Sequence, residues 1–307
     1  MHPVEASTSG TPTPAAPWTI ALLGPGGIGG LLAALLTRAG HRVICLASDG
    51  TAATLRDRGL QVSSSQHGDF HVAVEADTNL AEHVDLCLIA VKYTALDAAL
   101  DRVPADVLGA CLMVPLLNGI EHVDALRSRY PSAQVVPAVI RAESTRTSPG
   151  VIEHGSPFTE IDLAGSPEQL SPLAAMLTHA GVETKVLPDE AAVMWAKLAF
   201  LAPFALLTTR YQVPIGTIRT ERREELAALV AETTAVSAAC GAPVDTAGVL
   251  ARYDRFPHDS KSSMQRDSEA GRPLELDAIG GALLRAADRH DIDVPFATRL
   301  VSELTHA

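Results

Sequence analysis

The chain carries no surplus of positive charge. Its 36 acidic residues outnumber 24 lysines and arginines, giving a formal net charge of −12 and a pI near 5.3. That balance argues against a nucleic-acid or anionic-membrane surface as partner. An anionic ligand must therefore be held by local dipoles and a few placed cations. Cysteine is sparse as well: Cys45, Cys87, Cys111 and Cys240 are widely spaced, with no Cys-x-x-Cys and no Cys/His cluster. This excludes a metal or disulfide framework and is simplest to reconcile with a reducing cytoplasm. No uncharged apolar run reaches the ~18–20 residues of a bilayer span. The segment Leu198–Thr209 is shorter and contains Pro203. No internal repeat is visible. Residues 1–17 are rich in Pro, Ser, Thr and Ala, lack the basic start and apolar core of a signal peptide, and read as a disordered tail.

Against this background one run is rich in glycine: Gly24-Pro25-Gly26-Gly27-Ile28-Gly29. Trp18–Leu23 before it reads as a short buried strand, and Leu31–Ala39 after it as a helix ending at Gly40. In a strand–turn–helix setting, the first glycine of G-x-G-x-x-G makes the tight turn. The second lets the backbone approach a pyrophosphate, and the third lets the helix pack on the sheet. The pyrophosphate then rests on free N–H groups at the positive end of the helix dipole. The chain is expected to bind a dinucleotide.

Strand and helix patterns alternate through the first half. Arg42–Leu46 reads as a strand, Thr51–Arg58 as a helix stopped by Gly59, and Leu60–Ser63 with Phe70–Val74 as an inserted hairpin. Asp85–Val91 and Cys111–Leu116 are continuous apolar runs, as in parallel strands covered on both faces, with a helix at Ala95–Leu100 between them. Gln134–Ala142, Val151–His154 and Thr159–Leu163 follow as strands, and Glu168–Ala180 as a helix. From Asp189 onward only helical patterns remain: Ala191–Arg210, Thr220–Cys240, Ala247–Tyr253 and Glu275–His290. The expected fold is α/β: a doubly wound dinucleotide-binding domain over residues 18–187, followed by an all-helical domain over 188–307 whose apolar faces suit a homodimer. A small-molecule substrate belongs in the cleft between them.

Several polar residues stand at positions where chemistry is expected. Lys92 ends one strand and Asn118-Gly119 follows the next, at the carboxyl edge where doubly wound sheets bind ligands. Either is also compatible with an ordinary loop lysine or an Asn-Gly turn. Lys197 lies in the most apolar helix of the second half; lysine is rarely buried unpaired, and burial tunes it toward a proton donor near neutral pH. The plain alternative is a stem that covers apolar surface while the ammonium reaches water. Glu275 opens a helix, where the dipole alone can explain an acid, and Ser262-Ser263-Met264 reads as a turn or cap.

Taken in order, these pieces resemble the ketopantoate reductase (2-dehydropantoate 2-reductase) family. The resemblance runs from Thr19 to about Leu304, through GPGGIG, Val91-Lys92, Leu117-Asn118-Gly119, Trp195-Ala196-Lys197-Leu198-Ala199, Ile215-Gly216, Ser262-Ser263-Met264 with Asp267, and Glu275 with Asp277. It implies a Rossmann domain followed by a helical one. It also implies that Lys197 is the general acid protonating the alkoxide as hydride arrives, that Asn118 bridges cofactor and substrate, and that Lys92 helps hold both. Glu275 would contact the nicotinamide ribose and order the closed cleft, Ser263 would bind the substrate carboxylate, and Ala142 would offer backbone to the cofactor.

The departures cluster in one place. Where the family usually has asparagines four and eight residues after the lysine, this chain has Leu201 and Ala205, and a third family asparagine is Ile215. Pro203 falls inside the same helix and should kink it. Three polar substrate contacts have become apolar together, which suits a more apolar 2-oxo acid or ketone than ketopantoate. A non-redox enzyme of cyclase or isomerase type, or a cofactor sensor, is the alternative. Where many relatives place an arginine on the 2′-phosphate of NADPH, the chain has Ser48-Asp49. Asp49 suits the free ribose hydroxyls of NADH, whereas Ser48, Thr51 and Arg56 can hold a phosphate. NADP is the expected cofactor, with NAD as its competitor.

Overall fold

The structure, a computed structural model, describes residues 16–306. The tail expected over residues 1–17 therefore lies, apart from Ala16 and Pro17, outside the described residues.

Six parallel strands form the central sheet in the order Glu75–Asp77, Arg42–Leu46, Thr19–Leu23, Leu86–Ile89, Leu112–Pro115 and Gln134–Val135. Alternate residues of the first strand face opposite layers. Ile20 and Leu22 join a core with the helix Gly27–Arg38, while Ala21 and Leu23 join a second core with Leu96, Leu100 and Leu126. Burial on both faces is why these strands read as unbroken apolar runs. The order reverses between Thr19–Leu23 and Leu86–Ile89, so the glycine turn after one and Lys92 after the other share the crevice at the switch point.

Two further sheets complete this part. Leu60–Ser64 and Phe70–Val72 pair as the expected hairpin, with Leu60 opposite Val72. They are joined by Val151–His154 and Ser144–Ser148, strands that clamp the first helix from its far side. A three-stranded sheet combines Glu183–Leu187, Glu160–Ala164 and Ala138–Arg141.

Three of the differences from expectation have a clear local reason. The single strand expected over Gln134–Ala142 is broken by Pro137, which has no N–H to give; its two halves enter different sheets. The helix expected from Leu31 begins at Gly27, because packing between two sheets overrides the low helix propensity of Gly27, Gly29 and Gly30. The helix expected over Thr220–Cys240 is two, Ile215–Glu221 and Arg223–Ala239, separated by Arg222 at φ −130°, ψ 35°. The Arg222 guanidinium lies 3.6 Å over the Tyr211 ring and bonds Glu225, which fixes the break.

After Leu187 every regular element among the described residues is helical. The helix Glu190–Tyr211 is long and apolar enough to cross a membrane, but 72% of its apolar window is buried in this fold, so core packing accounts for its composition. It is continuous through Pro203. Its first turns, Val193 and Met194, pack into the core beneath the parallel sheet, whereas Trp195, Leu198 and Ala199 begin the helical core. Lys197 sits where this helix passes from one core to the other.

Candidate active site

The glycine turn has the shape its sequence demands. Gly24 adopts φ +87°, and a Cβ there would lie 2.5 Å from Val91 Cγ1. A Cβ on Gly29 would lie 2.1 Å from the Gly24 carbonyl oxygen, so only glycine lets this helix meet the turn. Gly26 differs: its Cβ would meet nothing closer than 4.0 Å, so this side of the turn is open to a ligand. Gly26 also caps the 12-residue helix Gly27–Arg38, whose first-turn N–H groups have no acceptor within the helix. Pro25 and Ile28 complete the turn. The set fits a pyrophosphate.

Past the second strand, exposed Ser48 caps Asp49–Arg58, with its Oγ 3.3 Å from Thr51 Oγ1. Arg56 is occupied by the Ala76 carbonyl at 3.0 Å. Asp49 is thus the exposed charge at this helix start.

Across the cleft, one carboxylate ties the two halves together. Glu275 is only 5% exposed; its Oε1 accepts the Tyr93 N–H at 3.0 Å and its Oε2 accepts Asn118 Nδ2 at 2.9 Å. Asn118 reaches it because Gly119, at φ +86°, has no side chain: a Cβ there would lie 2.3 Å from the Ala278 carbonyl oxygen. Glu275 lies just before its helix, which opens with a π turn over Asp277–Gly281. Such turns re-aim a helix start and are common at functional sites.

Lys92 crosses the same cleft. Its Nζ is 2.5 Å from Asp267 Oδ2, and the other oxygen of this buried carboxylate takes Arg272 Nε at 2.9 Å. In this structure Lys92 is therefore a bridge between the two halves.

Lys197 is half-buried, and among the described residues none accepts a hydrogen bond from it. Burial pushes its ammonium down to about 8, with the Glu275 carboxylate opposing the shift and the Arg141 guanidinium adding to it. Arg141, at the end of its strand, is held by Glu160 at 2.8 Å and Asp162 at 2.7 Å. Its neighbour Ala142 leads toward Ser144, whose Oγ donates to the Gly27 carbonyl at 2.8 Å. A lysine near its own pKa, a fixed amide and an anion-ready glycine turn around one cleft can support hydride addition to a carbonyl.

The remaining expected residues separate. Leu201, one turn after Lys197, is partly exposed. Ala205 and Ile215 have no exposed surface and belong to the helical core, so they stand behind the cleft wall. Ser263 is exposed at the start of the helix Ser263–Glu269. Buried Ser262 is the cap, accepting Gln265 N–H at 3.0 Å and bonding Thr208 Oγ1 at 2.8 Å. Sequence reasoning missed Arg141, although a charge ending an apolar strand was the signal that singled out Lys92. It also missed buried His122.

Comparison with known proteins follows the same division of the chain. Family models described as "Ketopantoate reductase PanE/ApbA" and "Ketopantoate reductase PanE/ApbA C terminal" match residues 20–164 and 190–307. A 2-dehydropantoate 2-reductase of Mycobacterium tuberculosis is 32% identical over 299 residues, covering 94% of this chain and 97% of that protein. The crystal structure of 2-dehydropantoate 2-reductase from Geobacter metallireducens superposes with a TM-score of 0.85 at 26% identity, over 94% of this chain and 99% of that one. A D-mandelate dehydrogenase solved with NADH and anilino(oxo)acetate shares the fold, with a TM-score of 0.85 at 19% identity over 94% and 97% of the two chains.

Proposed function

The chain belongs to the ketopantoate reductase family, and on that premise we propose that its substrate is a 2-oxo acid or related ketone with a more apolar chain than ketopantoate. It is an NADPH-dependent oxidoreductase acting on a carbonyl, with NADH as the competing cofactor. Family membership and the retained lysine favour hydride transfer over the non-redox reading.

The observation that carries the proposal is Lys197 itself, poised near neutral pH beside Glu275 and one turn from Leu201. NADPH supplies hydride when bound. Gly24, Pro25, Gly26, Gly27, Ile28 and Gly29 would seat its pyrophosphate, and Ser48, Lys92, Asn118, Ala142 and Glu275 the rest of it. Lys197 would give its proton to the oxygen on which negative charge develops, and Asn118 would fix that carbonyl's orientation. Ser263 would meet the carboxylate. Leu201, backed by Ala205 and Ile215, would face the carbon chain in place of hydrogen-bonding groups. Branched and apolar 2-oxo acids should oxidise NADPH with kcat/KM above that of ketopantoate. Preference for ketopantoate in that panel sinks the apolar reading.

Two further outcomes follow from the same geometry. Since Lys197 must be protonated to donate, kcat for reduction should be level below pH 8 and fall as pH rises through about 8. The reverse oxidation needs the free amine and should rise over the same interval. A flat profile between pH 6 and 10 contradicts the assignment. Asp49 should repel a 2′-phosphate, so Asp49→Ala should raise the NADPH-to-NADH ratio of kcat/KM by roughly fivefold. The proposal also includes a domain boundary at residues 187–188, a homodimer through the helical half and a cytoplasmic setting. Supporting the last, all four cysteines are free and three are buried. Sedimentation equilibrium tests the dimer.

A further inference from the structure

We propose that His122 is a positioning residue for Lys197, a neutral imidazole whose lone pair takes one N–H of the lysine and so aims the others at the substrate oxygen. The inference rests on the reductase reading above. His122 opens the helix His122–Arg129, four residues beyond Asn118, and has no exposed surface. Neither ring nitrogen has a hydrogen-bond partner, although buried polar groups are almost always paired. A fully buried imidazole with two idle nitrogens is a poor core residue, since a ring of carbon would fill the same space.

Its surroundings say what those nitrogens face. Arg127 of the same helix pairs with Glu190 at 2.7 Å, at the start of the Lys197 helix. Val123 shares a core with Val193 and Met194, the next turn of that helix. The two helices are thus tied at Arg127–Glu190 and share a core, and Lys197, on the second of them, is the charged group that acts on His122. Burial first, and then Lys197, push the imidazole down to about 4, so it is neutral in the working range and offers an acceptor. The other charges around this point are already engaged. Glu275 holds Tyr93 and Asn118, Arg141 holds Glu160 and Asp162, and Glu121 is taken by Arg285 at 2.6 Å. His122 is thus left as an unpartnered neutral acceptor in the field of Lys197. A small closure of the cleft, or one bridging water, completes the contact.

His122→Phe keeps the ring volume and removes the acceptor, whereas His122→Gln keeps an acceptor. The Phe variant should lose about tenfold in kcat and move the alkaline limb of kcat to lower pH by about one unit. KM for NADPH and Tm should stay near wild type. The Gln variant should recover most of kcat and place the limb near its original pH. A readout that needs no turnover is the pH dependence of acylation of Lys197 in the full-length protein, followed by peptide mass. Its midpoint should fall in the Phe variant. If the Phe variant keeps both kcat and limb, or if Gln and Phe are equally slow with an unshifted acylation midpoint, the positioning role is wrong. Absence of NADPH oxidation by the wild-type protein with every 2-oxo acid instead overturns the reductase reading, while the acylation midpoint still decides the pairing of His122 with Lys197.

Discussion

Lys197→Met should lower kcat by about 10²–10⁴-fold, the range a positioned general acid contributes, with little change in KM for NADPH. Methionine keeps most of the stem that fills the junction between the two cores, so the loss reports the ammonium and not the packing. Lys197→Ala should lose as much activity and leave a small void. Added primary amines should restore part of the rate in the alanine variant, because they bring a proton donor back to the same opening. The reason for expecting a large effect is electrostatic. The ammonium is half-buried and finds no hydrogen-bond acceptor among the described residues, while the one carboxylate that supports it, Glu275, is already shared between Tyr93 and Asn118. The lysine is therefore free to serve the reacting oxygen, in surroundings where charge is poorly screened. Rates within threefold of wild type for both variants would remove Lys197 from the chemistry.

How much of this was legible in the chain depends on the length scale of the signal. The glycine run was legible because a strand and a helix flank it in sequence, and Lys197 because an ammonium inside an apolar helix is locally anomalous. The strands Ser144–Ser148 and Glu183–Leu187 were not. Their residues are mostly polar and exposed, and they form because an already placed strand offers them hydrogen bonds. The same holds within the site. Lys92 and Asn118 could be placed at the carboxyl edge of the sheet from local pattern. Their partners Asp267 and Glu275 lie 175 and 157 residues away, and no periodicity links them. The family resemblance supplied Asn118 and Glu275 as functional residues, but the structure alone gives the hydrogen bond between them. Ala205 and Ile215 show the opposite limit. Helical spacing places Ala205 on the lysine's face, yet it is fully buried in the helical core, because a small side chain on that face is covered by its larger neighbours.

Glu275→Ala should be the second most damaging change, and its signature should differ from that of the lysine. Each oxygen of this carboxylate has a distinct task, so truncation leaves the half-buried Tyr93 N–H and Asn118 amide without their partner. That loss costs roughly 1–3 kcal/mol per stranded group and should show as a lowered Tm. Asn118 would then be free to rotate, and KM for the substrate should rise together with the fall in kcat. A combined loss of about 10²–10³ in kcat/KM is expected from these two effects. Glu275 also supplies the interaction that raises the Lys197 pKa against the effect of burial. Without it the lysine should titrate lower still, moving the alkaline limb of kcat below pH 8. Glu275→Gln separates the two tasks. The amide keeps one acceptor for Tyr93 but turns a second donor toward Asn118, and it carries no charge for Lys197. It should therefore recover part of the Tm while leaving the limb displaced. A limb that stays near pH 8 in both variants would show that Glu275 acts on the cleft alone, and that burial by itself sets the proton affinity of Lys197.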